Sequence, residues 1–243
     1  METRATSVLV KRYHPEDEAP FYQTYELRFH NDMTVLDALT EIKDADDGTL
    51  TFRWSCRMGI CGSCAMTING KPVLACQTYM RDVEQPVQVE PLRNFPVVKD
   101  LVVNLDDAFE KMRSTKPYID RLKEKGLTEG EYLQSPEQRK KIDQTSQCIK
   151  CMICYSACPV YGLDKNFMGP AAGALAYRYT ADSREKSKRP RIDSISGEKG
   201  MWKCSFVGEC SAACPKRVDP ALSLQRLKVM GALRLAERTV KGE

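Results

Sequence analysis

Histidine is nearly absent from this 243-residue chain: His14 and His30 are the only two. Both fall near the ends of expected strands, where surface or packing roles fit them better than acid–base chemistry. No Gly-x-Gly-x-x-Gly opening and no P-loop occurs, so the two commonest nucleotide cradles are excluded. No apolar run is long enough to cross a bilayer. The N-terminal stretch "METRATSVLVKRYHPEDE" has no long apolar core followed by a small-residue cleavage site, so nothing directs export. Charge of one sign is not in excess, with a formal net charge of +4. No basic patch is interleaved with aromatics, so nucleic acid is not an expected partner. The clearest basic run, "REKSKRPR" (184–191), reads as a solvated loop.

Cysteine is what the chain has in quantity. Eleven are present, an odd number, which argues against a complete set of internal disulfides. A chain without an export signal argues the same way, because the cytosol keeps thiols reduced. The cysteines stand in three tight groups, and gaps of two or three residues suit thiolates converging on a metal centre.

The two halves of the chain differ in texture. "SVLVKRY" (7–13), "YELRF" (25–29), "LTFRW" (50–54) and "VQVEPL" (87–92) predict strands. "TVLDALTEIKD" (34–44) predicts a helix with Val35, Leu39 and Ile42 on one face and Thr34 as N-cap. "AMTINGKPVLAC" (65–76) predicts a hairpin turning at Asn69-Gly70. After "NFPVVKD" (94–100) helical patterns take over. "LDDAFEKMRS" (105–114) is one, and Gly169-Pro170 and Asp219-Pro220 open two more, with proline in the first helical turn. The segment 123–138 reads as an exposed connection. The expected fold is α+β: residues 1–104 form a small mixed sheet with a helix across it, and residues 105–243 form a helical domain.

Each cysteine group implies its own chemistry. Cys56, Cys61, Cys64 and Cys76 have the spacing C-x4-C-x2-C-x11-C. The first three match a plant-type [2Fe–2S] loop, with Gly59 and Gly62 letting backbone N–H groups approach the sulfurs. A structural zinc site is the competing reading, and the x4 gap speaks against it. Cys148, Cys151, Cys154 and Cys158 form the run C-x2-C-x2-C-x3-C-P of two-cluster ferredoxins, whose fourth cysteine serves the other cluster. The third run, "CSFVGECSAACP" (204–215), repeats that phrase with Val207 in place of its second cysteine. Crossing the fourth cysteines gives Cys148, Cys151, Cys154 and Cys214 to a [4Fe–4S] cluster. Cys158, Cys204 and Cys210 are left for a [3Fe–4S] cluster, and no cysteine is unassigned. Three clusters of different type in one chain suggest an electron relay with no catalytic residue of its own.

With this order of motifs the chain resembles the iron–sulfur subunit of succinate dehydrogenase and fumarate reductase, the succinate:quinone oxidoreductase family. "RWSCRMGICGSCAMTING", "CIKCMICYSACPVYGL", "FMGPAA", "RYTADSR" and "CSFVGECSAACPKRVDP" carry the resemblance, which spans nearly the whole chain. It implies a β-grasp plant-type ferredoxin-like domain followed by an all-α bacterial ferredoxin-like domain. It implies a flavoprotein partner subunit with FAD, where succinate and fumarate interconvert, and membrane anchor subunits, with or without haem. Electrons would run between FAD and quinone, with the chain peripheral on the cytoplasmic face of a bacterial inner membrane. The resemblance puts Pro159, Ser205 and Lys228 in the vicinity of the quinone. Many succinate dehydrogenases have tryptophan where Leu163 stands and histidine where Ser205 stands. The turns found here look more like those of fumarate reductases, and point toward menaquinone. Two other classes stay open: a soluble multi-cluster ferredoxin-like carrier, and the iron–sulfur subunit of another flavoenzyme complex.

Overall fold

The structure, a computed structural model, describes residues 3–126 and 128–241. Two compact units are present: Met1–Leu105 with Ile149–Ala157, and Asp106–Cys148 with Cys158–Glu243. The expected boundary after residue 104 falls one residue later. The segment Ile149–Ala157 departs from the expectation by belonging with the N-terminal unit. Its backbone is tied there by side chains the sequence did not single out. Asn94 Nδ2 donates to the carbonyls of Tyr155 and Ser156, and Ser156 Oγ accepts from Arg93 N–H.

In the first unit Arg4–Arg12 (β1) and Phe21–Phe29 (β2) pair antiparallel. Val35–Glu41 (α1) follows, then Ala65–Ile68 (β3), Lys71–Leu74 (β4) and Val87–Glu90 (β5). The sheet order is β2-β1-β5-β3-β4, with β1 and β5 parallel. Val8, Val10, Val87 and Val89 are buried at its centre, and Val35, Leu39 and Ile42 are buried on the expected helical face. Thr34 caps α1, and Asp37 answers it with a reciprocal bond to the Thr34 backbone, a full capping box. The β3–β4 turn is the expected one: Asn69 and Gly70 both have positive φ, as a type I′ hairpin requires.

Residues 50–54, expected as a strand, join no sheet. Their backbone partners lie elsewhere: Thr51 N–H donates to Asp100 Oδ2, and Thr51 carbonyl accepts from Leu101 N–H. Asp100 is fully engaged. It is almost wholly buried, ion-paired with Arg12 at 2.9 Å, and also accepts from Tyr13 N–H. A buried carboxylate thus replaces the ladder that alternation alone would suggest. The small pair Val97–Lys99 (β6) and Val102–Val103 (β7) flanks it.

The helices continue with Asp106–Ser114 (α2), Pro136–Ser146 (α3), Ile153–Ser156 (α4, counted with the first unit) and Pro159–Leu163 (α5). Pro170–Thr180 (α6), Lys188–Ile195 (α7), Glu209–Ala212 (α8) and Pro220–Lys241 (α9) complete the chain. The two Pro-led helices begin where expected. Helix α6 crosses α9 closely because Gly173 has no side chain; a Cβ there would lie 2.5 Å from Leu224. Part of the expected connection 123–138 is helix, since Ser135 and Gln138 form a capping box with Pro136 at the first turn; Leu127 within it lies outside the described residues.

The basic run 184–191 is not a solvated loop throughout. Arg191 is buried in α7, ion-paired with buried Glu185 at 2.8 Å, and donates to the carbonyls of Thr115, Lys116 and Tyr118. No helix among the described residues is long and apolar enough to cross a membrane.

Candidate electron-transfer centres

Backbone conformation shapes the first cysteine loop. Arg57, Gly59 and Gly62 have positive φ, so the chain between Cys56 and Cys64 winds tightly with its amides turned inward. Cys56 Sγ accepts from the N–H groups of Ile60 at 3.3 Å and Cys61 at 3.2 Å. Cys61 Sγ lies 3.5 Å from Ser63 N–H. The backbone amides of Met58, Cys61 and Ile60 draw the Cys56 thiol down to about 6. Cys64 is pushed up to about 12 by burial. Cys76 stands in a short 3₁₀ turn after β4, so the fourth thiol comes from the turn at the strand's end rather than from the strand. Trp54, Met58 and Ile60 are exposed around this loop, with the Arg57 guanidinium 4.6 Å from the Trp54 ring centre.

The second and third runs share one backbone. Lys150 and Met152 have φ of 56° and 65°; Phe206 and Gly208, their counterparts, have φ of 60° and 91°. Left-handed conformations at Lys150, Met152 and Phe206 are costly for side-chain-bearing residues and so are held by the surrounding turn. A single helical turn follows each: α4 after Met152 and α8 after Gly208. Even their hydrogen bonds correspond. Ser156 N–H reaches the Met152 carbonyl at 3.1 Å, and Ala212 N–H reaches the Gly208 carbonyl at 3.1 Å. Val207 therefore occupies the backbone position that Cys151 occupies in the other run.

Cys158, Cys204 and Cys210 line one hollow, together with Pro159, Ser205 and Val207. Val207 stands at the rim, 56% exposed. Cys158 caps α5, its Sγ 3.4 Å from Tyr161 N–H, with Pro159 at the first turn. Lys228 is not a free surface lysine: its Nζ donates to the Cys204 carbonyl at 2.6 Å. Gln225, one turn earlier on α9, brings Nε2 to 3.8 Å from Cys204 Sγ. Sequence reading missed Gln225; its i, i+3 spacing from Lys228 is the signal that could have found it. Cys148 follows α3, Cys151 and Cys154 sit at α4 in the first unit, and Cys214 follows α8. His14 and His30 are both exposed and near no cysteine group in sequence.

The donor chemistry fits iron–sulfur clusters. None of the eleven cysteines forms a disulfide. Burial raises the Cys158 thiol and pushes that of Cys210 up to about 12.

Comparison with known proteins assigns the two regions. Residues 7–110 match a family of 2Fe–2S iron–sulfur cluster binding domains, and residues 144–218 match a 4Fe–4S dicluster domain. The fumarate reductase iron–sulfur subunit of Mycobacterium tuberculosis is 54% identical over 225 residues, covering 92% of this chain and 91% of that protein. The chain belongs to the family of fumarate reductase and succinate dehydrogenase iron–sulfur subunits. Its relatives include the Coxiella burnetii succinate dehydrogenase iron–sulfur subunit, 34% identical over 96% of this chain and 98% of that one. A chain of the Mycobacterium smegmatis Sdh1 complex in the apo form superposes with a TM-score of 0.86 at 28% identity, covering 96% of this chain and 98% of that one. As an iron–sulfur subunit of this family, the chain carries [2Fe–2S] and [4Fe–4S] chemistry and acts in electron transfer within an oxidoreductase.

Proposed function

We propose that this iron–sulfur subunit relays electrons between the FAD of a flavoprotein partner, where succinate and fumarate interconvert, and a quinone at membrane anchor subunits. Cys56, Cys61, Cys64 and Cys76 hold the [2Fe–2S] cluster. Cys148, Cys151, Cys154 and Cys214 hold the [4Fe–4S] cluster. Cys158, Cys204 and Cys210 hold a [3Fe–4S] cluster, with Pro159, Ser205 and Lys228 near the quinone. The observation that carries this reading is the shared backbone of the two runs with valine at Cys151's counterpart: the turn is built for a ligand, and an apolar side chain takes its place.

Exposed apolar side chains support the partner assignments. Trp54, Met58 and Ile60 around the first loop suit a flavoprotein surface. Leu163, Trp202 and Phe206 suit anchor subunits at the cytoplasmic face of a bacterial inner membrane. Leu163 and Ser205, together with 54% identity to a fumarate reductase subunit, favour a menaquinone-type partner. The test is the native assembly. It should co-purify with a flavoprotein and anchors, and should oxidise succinate with a quinone or reduce fumarate from a quinol. An assembly holding FAD and all clusters but lacking both activities contradicts the reading.

A further inference from the structure

Away from all three cysteine groups, α3, α6, α7 and α9 enclose a groove of about 340 Å³, within the size range of small-ligand sites. Its apolar side is Ile192, Met230 and Leu233; its rim carries Lys141, Lys188, Arg189 and Arg234. Two of these cations are already paired, since Arg189 and Arg234 share Glu237, and Arg234 also meets Asp193. Lys141 and Lys188 have no carboxylate partner among the described residues.

We propose that this groove binds an anionic phospholipid. Phosphate oxygens would accept from the Lys141 and Lys188 ammonium groups, and an acyl chain would lie along Met230 and Leu233. The apolar side continues outward: Val229 and Leu233, one turn apart on α9, are both more than half exposed. Trp202 lies beside Gly231 on the same helix. A free phosphate would leave that apolar wall uncovered, and a zwitterionic phosphatidylcholine would bring a cation of its own up to the two ammonium groups. The proposal draws on the membrane-side placement above only for where the lipid comes from.

The test uses the full chain with its clusters and monomeric dihexanoyl-phosphatidylglycerol, measured by calorimetry, with dihexanoyl-phosphatidylcholine and inorganic phosphate as the other two probes. Phosphatidylglycerol is expected to bind at least about tenfold more tightly than either, and Lys141→Ala with Lys188→Ala to lose about tenfold. Leu233→Ser is the discriminating variant. It should weaken lipid binding several-fold while leaving the melting temperature unchanged, because Leu233 lines the groove and is more than half exposed. Equal binding of phosphatidylglycerol and phosphatidylcholine, inorganic phosphate binding as tightly as the lipid, or wild-type affinity in the lysine variant overturns the proposal. So does a Leu233→Ser protein that binds with wild-type affinity. Neither quinone nor a partner chain enters the measurement, so its failure leaves the electron-relay reading standing, and the failure of that reading leaves the groove's result standing.

Discussion

Gly62 and Cys151 approach so closely that no side chain fits between them: a Cβ on Gly62 would lie 2.8 Å from Cys151 Cβ and 3.0 Å from its Cα. Gly62 is flanked by Cys61 and stands two residues before Cys64, so the first cysteine loop and the second cysteine run meet backbone to side chain. A gap this small is what electron transfer between neighbouring centres needs. Gly62 also has a φ of 75°, a conformation that side chains disfavour.

Gly62→Ala separates these two effects when set beside Gly130→Ala. Gly130 has a φ of 78° with nothing within 4 Å of an added Cβ. Both variants should lose about 1–2 kcal/mol from backbone strain. Only Gly62→Ala adds a clash, and it should lose more, read by thermal unfolding. It should also weaken the magnetic interaction between the two reduced clusters, read as slower spin relaxation of the [2Fe–2S] signal. Equal losses in the two variants with unchanged relaxation would remove Gly62 from the account.

Val207→Cys restores the thiol to a turn with the same backbone as the one that presents Cys151. The oxidised variant is expected to lose a [3Fe–4S] electron paramagnetic resonance signal and to gain a fourth iron per site, read by iron analysis and by the signal of the reduced protein. An unchanged [3Fe–4S] signal at full cysteine reduction would mean that the hollow, not the missing thiol, limits the cluster.

Asp182 holds the stretch "RYTADSR" together. It is fully buried, ion-paired with Arg178 at 2.9 Å and Arg184 at 2.8 Å, and accepts from Arg184 N–H. Burial pushes its carboxyl up, but the Arg184 and Arg178 groups outweigh burial and hold it below the usual carboxylate range. Its folded-state value lies below its unfolded one, so the stabilisation is present above the unfolded value and lost as pH falls through the folded one. Asp182→Asn should cost about 3 kcal/mol at neutral pH. The difference in melting temperature from wild type should persist down to about pH 4 and shrink below it.

Asp100→Ala tests why residues 50–54 lie outside the sheet. It strands Arg12 in a buried site and removes the partner of Thr51 N–H, so a loss of about 3–5 kcal/mol is expected in urea unfolding. Arg12 keeps Asp47, Tyr25 and Thr49 as partners. If those suffice, the loss falls near 1 kcal/mol and the strand-replacing role of Asp100 is wrong.

Local chemistry was legible in the sequence wherever it was self-contained. Asn69-Gly70 dictates a hairpin, Thr34 a helix start, and Pro170 and Pro220 the first turns of α6 and α9 without help from distant residues. The cysteine groups were legible for the same reason, since their spacing is itself the local geometry. What failed depended on partners far along the chain. Residues 50–54 alternate like a strand, but Asp100 takes their backbone bonds. Arg191 sits in a run of charges, yet Glu185 and three carbonyls draw it into the interior. Segment 149–157 looks like part of the helical half, but Asn94 and Arg93 hold it to the first unit. Val207 stood out as a missing letter, and only the matching φ angles on either side show that the turn itself was retained.

The central claim is that a cysteine-deprived turn makes Cys158, Cys204 and Cys210 the ligands of a three-iron cluster. The direct measurement is low-temperature electron paramagnetic resonance of the intact, air-oxidised protein. A near-isotropic [3Fe–4S] signal at close to one spin per chain, disappearing on reduction as a [2Fe–2S] signal grows in, is the expected result. An oxidised protein without that signal, carrying two full [4Fe–4S] clusters by iron analysis, would contradict it.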